Sequence, residues 1–270
     1  MRLTLIAALL CGASLVPPCG YGQQNEGARQ RFLVAKALAE RGNAAAEFDL
    51  GVCFAEGLGV GKNPVEAVKW YRKSAERNYI QAQYNLGACY YDGRGVAKDD
   101  AQAVNWYRRA AEQNDARAQA ALGNRYFHGE GVATNYVEAV KWFRRGAEQG
   151  EAVAQDGLGY CYAQGLGVAT NHLEAVKWYR KAAERNHAES QANLAGCYLT
   201  GEGVAQNVIE AYAWASLSAP TFENGARIRN VAAQRMTGDQ FYEAYKRTRE
   251  LRAQIAARLE STGKDRLPRP

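Results

Sequence analysis

The stretch GLGVGK (residues 57–62) is the part of the sequence that comes closest to a phosphate-binding loop. A Walker-type loop needs an initial glycine four residues before its Gly-Lys, a Ser or Thr after the lysine, and a preceding strand. Here Glu56 stands where the first glycine should be, Asn63 follows the lysine, and no strand pattern precedes. The equivalent segments GRGVAK, GEGVAT, GLGVAT and GEGVAQ have no consistent lysine. We therefore interpret the stretch as a turn.

Other residue types that carry chemistry are present, but their spacing does not form a site. Residues 261–264 (STGK) fit the S-x-x-K pattern of penicillin-recognising enzymes. They lie in a charged tail without the partner motifs of that chemistry, so we interpret them as a chance match. His128, His172 and His187 have no metal-ligand spacing and are predicted to be surface residues. The sequence predicts no catalytic residue, no cofactor and no metal site.

A period of 36 residues organises the chain. All five tryptophans mark it: Trp70, Trp106, Trp142, Trp178 and Trp214. The same step relates five leucines and five glycine pairs, each pair followed by valine. A period in this range indicates a stacked array of repeats. We predict five copies, at residues 44–79, 80–115, 116–151, 152–187 and 188–223.

Each copy has the pattern of a helical hairpin. In the second copy Leu86, Cys89 and Tyr90 share one helical face, and a glycine ends the helix. The second helix begins at a capping box, such as Asn63 with Glu66, in which the two side chains are expected to cap each other's backbone N–H groups. One hairpin cannot bury its apolar stripe alone, so the copies are expected to stack into an all-α solenoid.

The two ends of the chain differ from the copies. Residues 23–43 match only a second helix and predict an N-terminal half-repeat cap, whereas residues 224–260 predict two capping helices. Residues 261–270 are expected to be disordered. Residues 1–22 have a basic start and a short apolar run, the pattern of a signal peptide; an ordinary buried N-terminal helix is the alternative.

Copies such as AQYNLGACYYDGRGVAKDDAQAVNWYRRAAEQND (residues 82–115) resemble the Sel-one-like repeat, a relative of the tetratricopeptide repeat with a longer internal turn. The matching letters are A-x-x-x-L-G-x-x-Y-x-x-G-x-G-V and A-V-x-W-Y-x-x-A-A, over roughly residues 28–217. The resemblance implies a right-handed superhelical solenoid and an adaptor or scaffold role with protein partners. With the signal pattern, the chain is similar to exported bacterial members. Ala215 departs from the motif and indicates the end of the array.

Four cysteines, Cys53, Cys89, Cys161 and Cys197, occupy one repeat position. Equivalent positions in stacked hairpins lie about 10 Å apart, whereas a disulfide needs Cα atoms within about 7 Å. We therefore predict buried free thiols, with disulfide bridges as the alternative. The third copy has Arg125 at this position, which either extends to solvent or marks a binding spot.

The variable positions of the first helix predict where a partner binds. Positions 2, 5, 9 and 12 of each copy lie on one helical stripe. By resemblance to tetratricopeptide arrays, this stripe lines the concave groove. The predicted groove residues are Phe48, Tyr84, Tyr91, Arg117, Asn124, Phe127, Asp156 and Tyr160. Aromatic residues beside polar ones favour recognition of a protein or peptide, and packing between copies is the alternative.

The charge distribution argues against a nucleic-acid partner. The chain has 34 Lys and Arg and 28 Asp and Glu, and residues 218–270 hold 11 of the former and 6 of the latter. A solenoid that binds nucleic acid is expected to carry its basic charge along the array. We expect an exported, periplasmic or secreted, monomeric scaffold without catalysis or stable membrane insertion. The alternatives are an exported hydrolase or binding protein for cell-wall or β-lactam compounds, and peripheral membrane association through residues 245–259.

Overall fold

The computed structural model describes residues 21–261, which form thirteen α-helices and no strand. Helix α1 (Tyr21–Ala39) precedes five helical hairpins, and α12 (Glu223–Gln234) and α13 (Gly238–Ser261) follow them. The hairpins are α2 (Ala44–Glu56) with α3 (Pro64–Glu76), α4 (Ile80–Asp92) with α5 (Asp100–Glu112), α6 (Ala116–His128) with α7 (Tyr136–Glu148), α8 (Ala152–Gln164) with α9 (His172–Ala183), and α10 (Ala188–Thr200) with α11 (Val208–Ser218). The predicted signal peptide and disordered tail lie almost wholly outside the described residues.

The repeated leucine and the residue after each tryptophan form the core of the hairpins. The five leucines, Leu50, Leu86, Leu122, Leu158 and Leu194, are at most 1% exposed. A glycine follows the leucine in the first four copies because an aromatic ring lies against it: a Cβ on Gly87 would be 2.8 Å from the ring of Tyr107. In the fifth copy Ala195 replaces the glycine and Ala215 replaces the ring. The departure at Ala215 therefore removes the side chain that the glycine accommodates.

The GLGVGK stretch is a turn between two helices, as predicted. Gly57 ends α2 with a φ of 78°, and its N–H donates to the carbonyl of Cys53. The second glycine of each pair also has a positive φ and lies against the preceding copy. A Cβ on Gly95 would be 2.1 Å from the carbonyl oxygen of Pro64, so no other residue fits there without a backbone shift. The glycines thus serve backbone conformation and close stacking of the copies.

The second helices begin with only half of the predicted capping box. The Asn63 side chain accepts the N–H of Glu66 at 3.1 Å, and the four equivalent caps do the same. The predicted reciprocal bond, from the backbone N–H of the cap residue to the side chain three residues later, is wrong for all five copies. In each copy this N–H donates instead to a backbone carbonyl of the first helix. For Asn63 this acceptor is Phe54, at 2.8 Å. A full box forms at Thr237, whose N–H donates to Gln240.

The C-terminal helices cover the end of the array. Leu251 and Ile255 of α13 are buried, and this helix packs on α11. Arg247 of α13 forms an ion pair with Glu210 of α11, with 2.7 Å between Nε and Oε1. Among the described helices, none is both long and apolar enough to cross a membrane.

Candidate functional site

The first helices of the copies, α2, α4, α6, α8 and α10, lie on one face of the array, which we call the inner face. Residues of α4, α6, α8 and the start of α10 line a cleft of about 530 Å³ there. Five of the eight predicted groove residues line this inner-face cleft: Tyr91, Asn124, Phe127, Asp156 and Tyr160. The other three, Phe48, Tyr84 and Arg117, lie outside it.

Packing within the array involves these three residues. The ring of Phe48 is half-buried and lies 5.8 Å from the ring of Tyr71 and 5.4 Å from that of Tyr79, between centroids. Tyr84 is also half-buried, and the Arg117 guanidinium lies over it at 4.5 Å from the ring centroid. For Phe48 and Tyr84 the contacts match the alternative interpretation, packing between helices.

An aromatic wall forms one side of the cleft. The ring of Phe127 lies 5.8 Å from that of Tyr160, which joins α6 to α8, and 5.2 Å from that of Tyr136. It also contacts the buried ring of Phe143 at 6.4 Å. Tyr160 itself is 42% exposed. The wall therefore presents an exposed tyrosine whose neighbours hold it in place.

Arg125 forms part of the cleft wall and does not extend to solvent. The residue is 8% exposed, and its guanidinium lies 4.0 Å from the ring centroid of Tyr91. It also forms an ion pair with Glu130. Its Nε has no hydrogen-bond acceptor among the described residues. The interpretation in which this arginine extends to solvent is wrong, because the cation is enclosed between an aromatic ring and a carboxylate.

Asp156 forms the floor of the cleft. Its Oδ1 accepts a hydrogen bond from Ser190 Oγ at 2.5 Å and another from Asn193 Nδ2 at 3.2 Å. Burial raises the pKa of the Asp156 carboxyl above its ordinary value, and these hydrogen bonds together with nearby His187 oppose the shift. His187 is half-buried and caps α10 through Nδ1, which accepts the N–H of Ser190 at 3.3 Å. The prediction of a plain surface residue is therefore wrong for His187.

Ser190, His187 and Asp156 are the residue types of a hydrolytic triad, but their geometry differs from one. A triad places histidine between the other two residues and uses both ring nitrogens. Here Ser190 Oγ donates directly to Asp156, and both contacts between Ser190 and His187 use Nδ1. Ser190 is 0% exposed, so a substrate has no access to its hydroxyl. The three residues form a structural network at the start of α10.

The four cysteines are free thiols, as predicted. Three are buried, and Cys197 is partly exposed. Burial raises the pKa of Cys161 to about 12 and that of Cys197 to about 11. These thiols are therefore protonated at neutral pH, which makes them poor nucleophiles. In the part of the chain that the structure describes, no cluster of His, Cys, Asp and Glu could hold a metal ion.

Four residues of the cleft network were not predicted from the sequence: Glu130, His187, Ser190 and Asn193. For Ser190 the signal was available, because the other four copies have alanine at its position. Asp156 departs from its own repeat position too, where the other copies have Phe48, Tyr84 and two alanines. Two polar departures in neighbouring copies that bond each other indicate a network specific to this part of the array.

Comparison with known proteins identifies the repeat. The Sel1 repeat profile matches residues 44–79, 80–115, 116–151, 152–187 and 188–219. The chain is similar to the structure of c5321, a protective antigen present in uropathogenic Escherichia coli strains that displays an SLR fold. The identity is 35% and the TM-score 0.80, over 88% of this chain and 52% of that one. This chain thus spans about half the length of the E. coli chain.

A second similar structure is a Sel1 repeat protein from Oxalobacter formigenes. The identity is 36% and the TM-score 0.65, over 70% of this chain and 82% of that one. A search of proteins with curated functions finds no match. Sel1 repeat proteins are generally scaffolds for protein interactions and are typically non-catalytic. Because the five matched segments cover most of the described residues, the chain belongs to the Sel1 repeat family.

Proposed function

We propose that the chain is a non-catalytic scaffold that binds a segment of a partner protein in the inner-face cleft. The observation that carries this proposal is the meeting, in one cleft, of an exposed tyrosine, a buried arginine and a buried carboxylate: Tyr160, Arg125 and Asp156. Tyrosine and arginine at a partly enclosed position are typical of the few residues that supply most of the binding energy. The general role of Sel1 repeat proteins in protein interactions supports the same assignment.

The cleft is preorganised for an extended or helical segment. Ring contacts on Phe127 and the ion pair on Arg125 fix the two side chains before a partner arrives. Binding then costs little side-chain entropy, since these groups are already ordered. We further propose that the protein is exported, on the basis of the signal-peptide pattern at residues 1–22, and that it acts as a monomer.

Site-specific cross-linking tests where the partner binds. A photoreactive phenylalanine analogue replaces Tyr160 in one variant, and Leu173, which is 57% exposed on a second helix, in a matched control. In cells that express the chain natively, Tyr160 is expected to cross-link a protein that mass spectrometry identifies, and Leu173 is not. Cross-linking of the same protein from Leu173 alone, or equally from both positions, would contradict binding in the cleft.

A further inference from the structure

The first four joints between consecutive hairpins, counted from the joint of α1 with the first hairpin, occur in two forms. The joints lie at the helix ends opposite the glycine-pair turns and recur every 36 residues. Three residues define each joint: one in the turn before a first helix, one inside that helix, and one at the end of the second helix. Two joints are Asn78–Gln83–Gln113 and Asn114–Gln119–Gln149, which we call closed. Two more are Gly42–Glu47–Arg77 and Gly150–Gln155–Arg185, which we call open. The fifth joint, Asn186–Gln191–Thr221, belongs to neither form.

In the closed joints, one buried amide is fully hydrogen-bonded by another. Gln83 is 0% exposed, and its Nε2 donates to a backbone carbonyl and to Asn78 Oδ1. Its Oε1 accepts from Gln113 Nε2 at 2.7 Å. Gln119 and Gln149 repeat this bond at the same distance, 2.7 Å. The second glutamine therefore fills the joint and satisfies the buried acceptor.

In the open joints, an arginine replaces that second glutamine and a pocket remains. At the first copy the pocket has about 750 Å³, and the arginine pairs with the buried carboxylate: Arg77 Nε donates to Glu47 Oε1 at 3.4 Å, whereas Glu47 Oε2 has no donor among the described residues. The guanidinium also lies next to Gly42: a Cβ at this position would be 3.2 Å from the nearest nitrogen of Arg77. The glycine in the turn is what leaves room for the arginine.

The open joint of the fourth copy lacks this compensation. Its pocket has about 910 Å³ and is lined by Gln155, Trp178 and Arg185 among others. Gln155 is 3% exposed, and its Oε1 has no hydrogen-bond donor among the described residues. Trp178 Nε1 is likewise buried and has no acceptor among the described residues. Arg185 lies over Gly150 and makes no ion pair with any described residue.

We propose that this open joint binds a carboxamide of a partner protein, the side chain of Gln or Asn. A carboxamide supplies an N–H group for Gln155 Oε1 and a carbonyl oxygen for Trp178 Nε1 or the Arg185 guanidinium, which satisfies a buried donor and a buried acceptor at once. The molecule itself shows that an amide fits, because Gln113 and Gln149 donate to the corresponding acceptors of the closed joints.

A carboxylate fits the pocket less well than an amide. Three acidic and three basic residues line the pocket: Glu148, Glu151, Glu184, Lys181, Arg185 and Arg258. Because these charges balance, the acceptor Gln155 Oε1 decides between the two groups, and a carboxylate has no N–H to donate to it. The pocket shares no lining residue with the inner-face cleft, and the proposal does not depend on the function assigned to that cleft.

Tryptophan indole NMR on the full chain tests the proposal. The probes are three tripeptides, acetyl-Gly-X-Gly dimethylamide, with X as Gln, Glu or Leu, so that the Gln side chain carries the only primary carboxamide, and a Trp178→Phe variant assigns the indole signal. The Gln peptide is expected to shift the Trp178 indole N–H, while Trp106 and Trp142 of the closed joints stay in place. The Leu peptide should leave Trp178 unchanged. No shift with Gln, an equal shift with Leu, or a stronger response to Glu would overturn the proposal.

A variant in which the open joint of the fourth copy is converted to the closed form provides the matched control. The double variant Gly150→Asn, Arg185→Gln gives the fourth copy the residues of a closed joint, which the chain already folds with twice. Its own glutamine should then occupy the pocket and weaken binding of the Gln peptide by about tenfold or more. Unchanged binding in this variant would show that the peptide binds elsewhere.

Discussion

The inner-face cleft and the open joint of the fourth copy each contain an arginine at a repeat position where other copies have an uncharged residue. Arg125 replaces a cysteine, is buried, and has both an aromatic ring and a carboxylate as partners. Arg185 replaces a glutamine, makes no ion pair with the described residues, and leaves the acceptor of Gln155 unsatisfied. An arginine at an unusual repeat position can therefore complete a local network, as Arg125 does, or leave a buried acceptor unsatisfied, as Arg185 does. The two cases are distinguished by the contacts of the arginine and not by the sequence.

The largest expected effect is on the completed network. Glu130→Ala removes the counter-charge of the buried Arg125 and should lower the free energy of unfolding by about 2–3 kcal/mol. This is less than the roughly 3–5 kcal/mol for breaking a fully buried pair, because Glu130 is partly exposed. Urea denaturation measures the loss. Glu202→Ala, at the same position of the fifth copy and exposed, is the control and should change little. Equal effects of the two substitutions would show that the ion pair contributes nothing.

The next largest effect is the difference in stability lost when the buried glutamine of a closed joint and that of the open joint are each replaced by leucine. Gln119→Leu removes several hydrogen bonds and leaves buried partners unpaired, so it should cost about 2 kcal/mol. Gln155→Leu loses one bond and also removes an unsatisfied acceptor, so its cost should stay below about 1 kcal/mol. Urea midpoints of both variants check the order, and a larger loss at Gln155 would reverse the comparison.

A smaller effect of opposite sign comes from filling the open joint. Arg185→Gln supplies the missing donor and should raise the free energy of unfolding by about 1 kcal/mol, the net value of one buried hydrogen bond. Thermal unfolding measures the gain. Arg185→Ala supplies no donor, so an equal gain in that variant would attribute the effect to loss of the charge.

The smallest expected effect concerns the floor of the cleft. Burial raises the pKa of Asp156, so the folded protein holds this proton more tightly than the unfolded chain does. Ionisation of Asp156 therefore reduces stability as pH rises from the ordinary value of 3.8 through the raised pKa. Asp156→Asn should accordingly be more favourable, relative to wild type, near neutral pH than in acid. The free energies of unfolding of both proteins at two pH values check this sign, and a difference that does not vary with pH would contradict it.

The fold could be predicted because five copies repeat the same evidence. Each aligned glycine, leucine and tryptophan reports the same backbone position, so the turn at GLGVGK follows from the four equivalent turns. The hairpins, the turns and the thiols were confirmed on this basis. Helical periodicity also placed Tyr91, Phe127 and Tyr160 on one stripe, and the structure brings them to one cleft.

The contacts between copies could not be predicted in the same way. Asp156 and Ser190 are 34 residues apart, and Gln83 and Gln113 are 30 apart, so each bond depends on how neighbouring hairpins stack. The same limit explains the reciprocal capping bond, because the N–H of Asn63 finds a carbonyl of the previous helix that no local pattern shows. Positions that depart from their repeat were visible in the sequence, but their partners were not.

The affinity of the partner for an Arg125→Cys variant tests the central claim most directly. This substitution gives the third copy the residue that the other four copies have, and the partly exposed Glu130 keeps contact with water. The fold should therefore be retained, with a free energy of unfolding from urea denaturation within about 1 kcal/mol of that of the wild type. Calorimetric titration with the partner identified by cross-linking is predicted to show binding weakened by about tenfold or more. Full affinity in a folded Arg125→Cys protein would contradict recognition in the inner-face cleft.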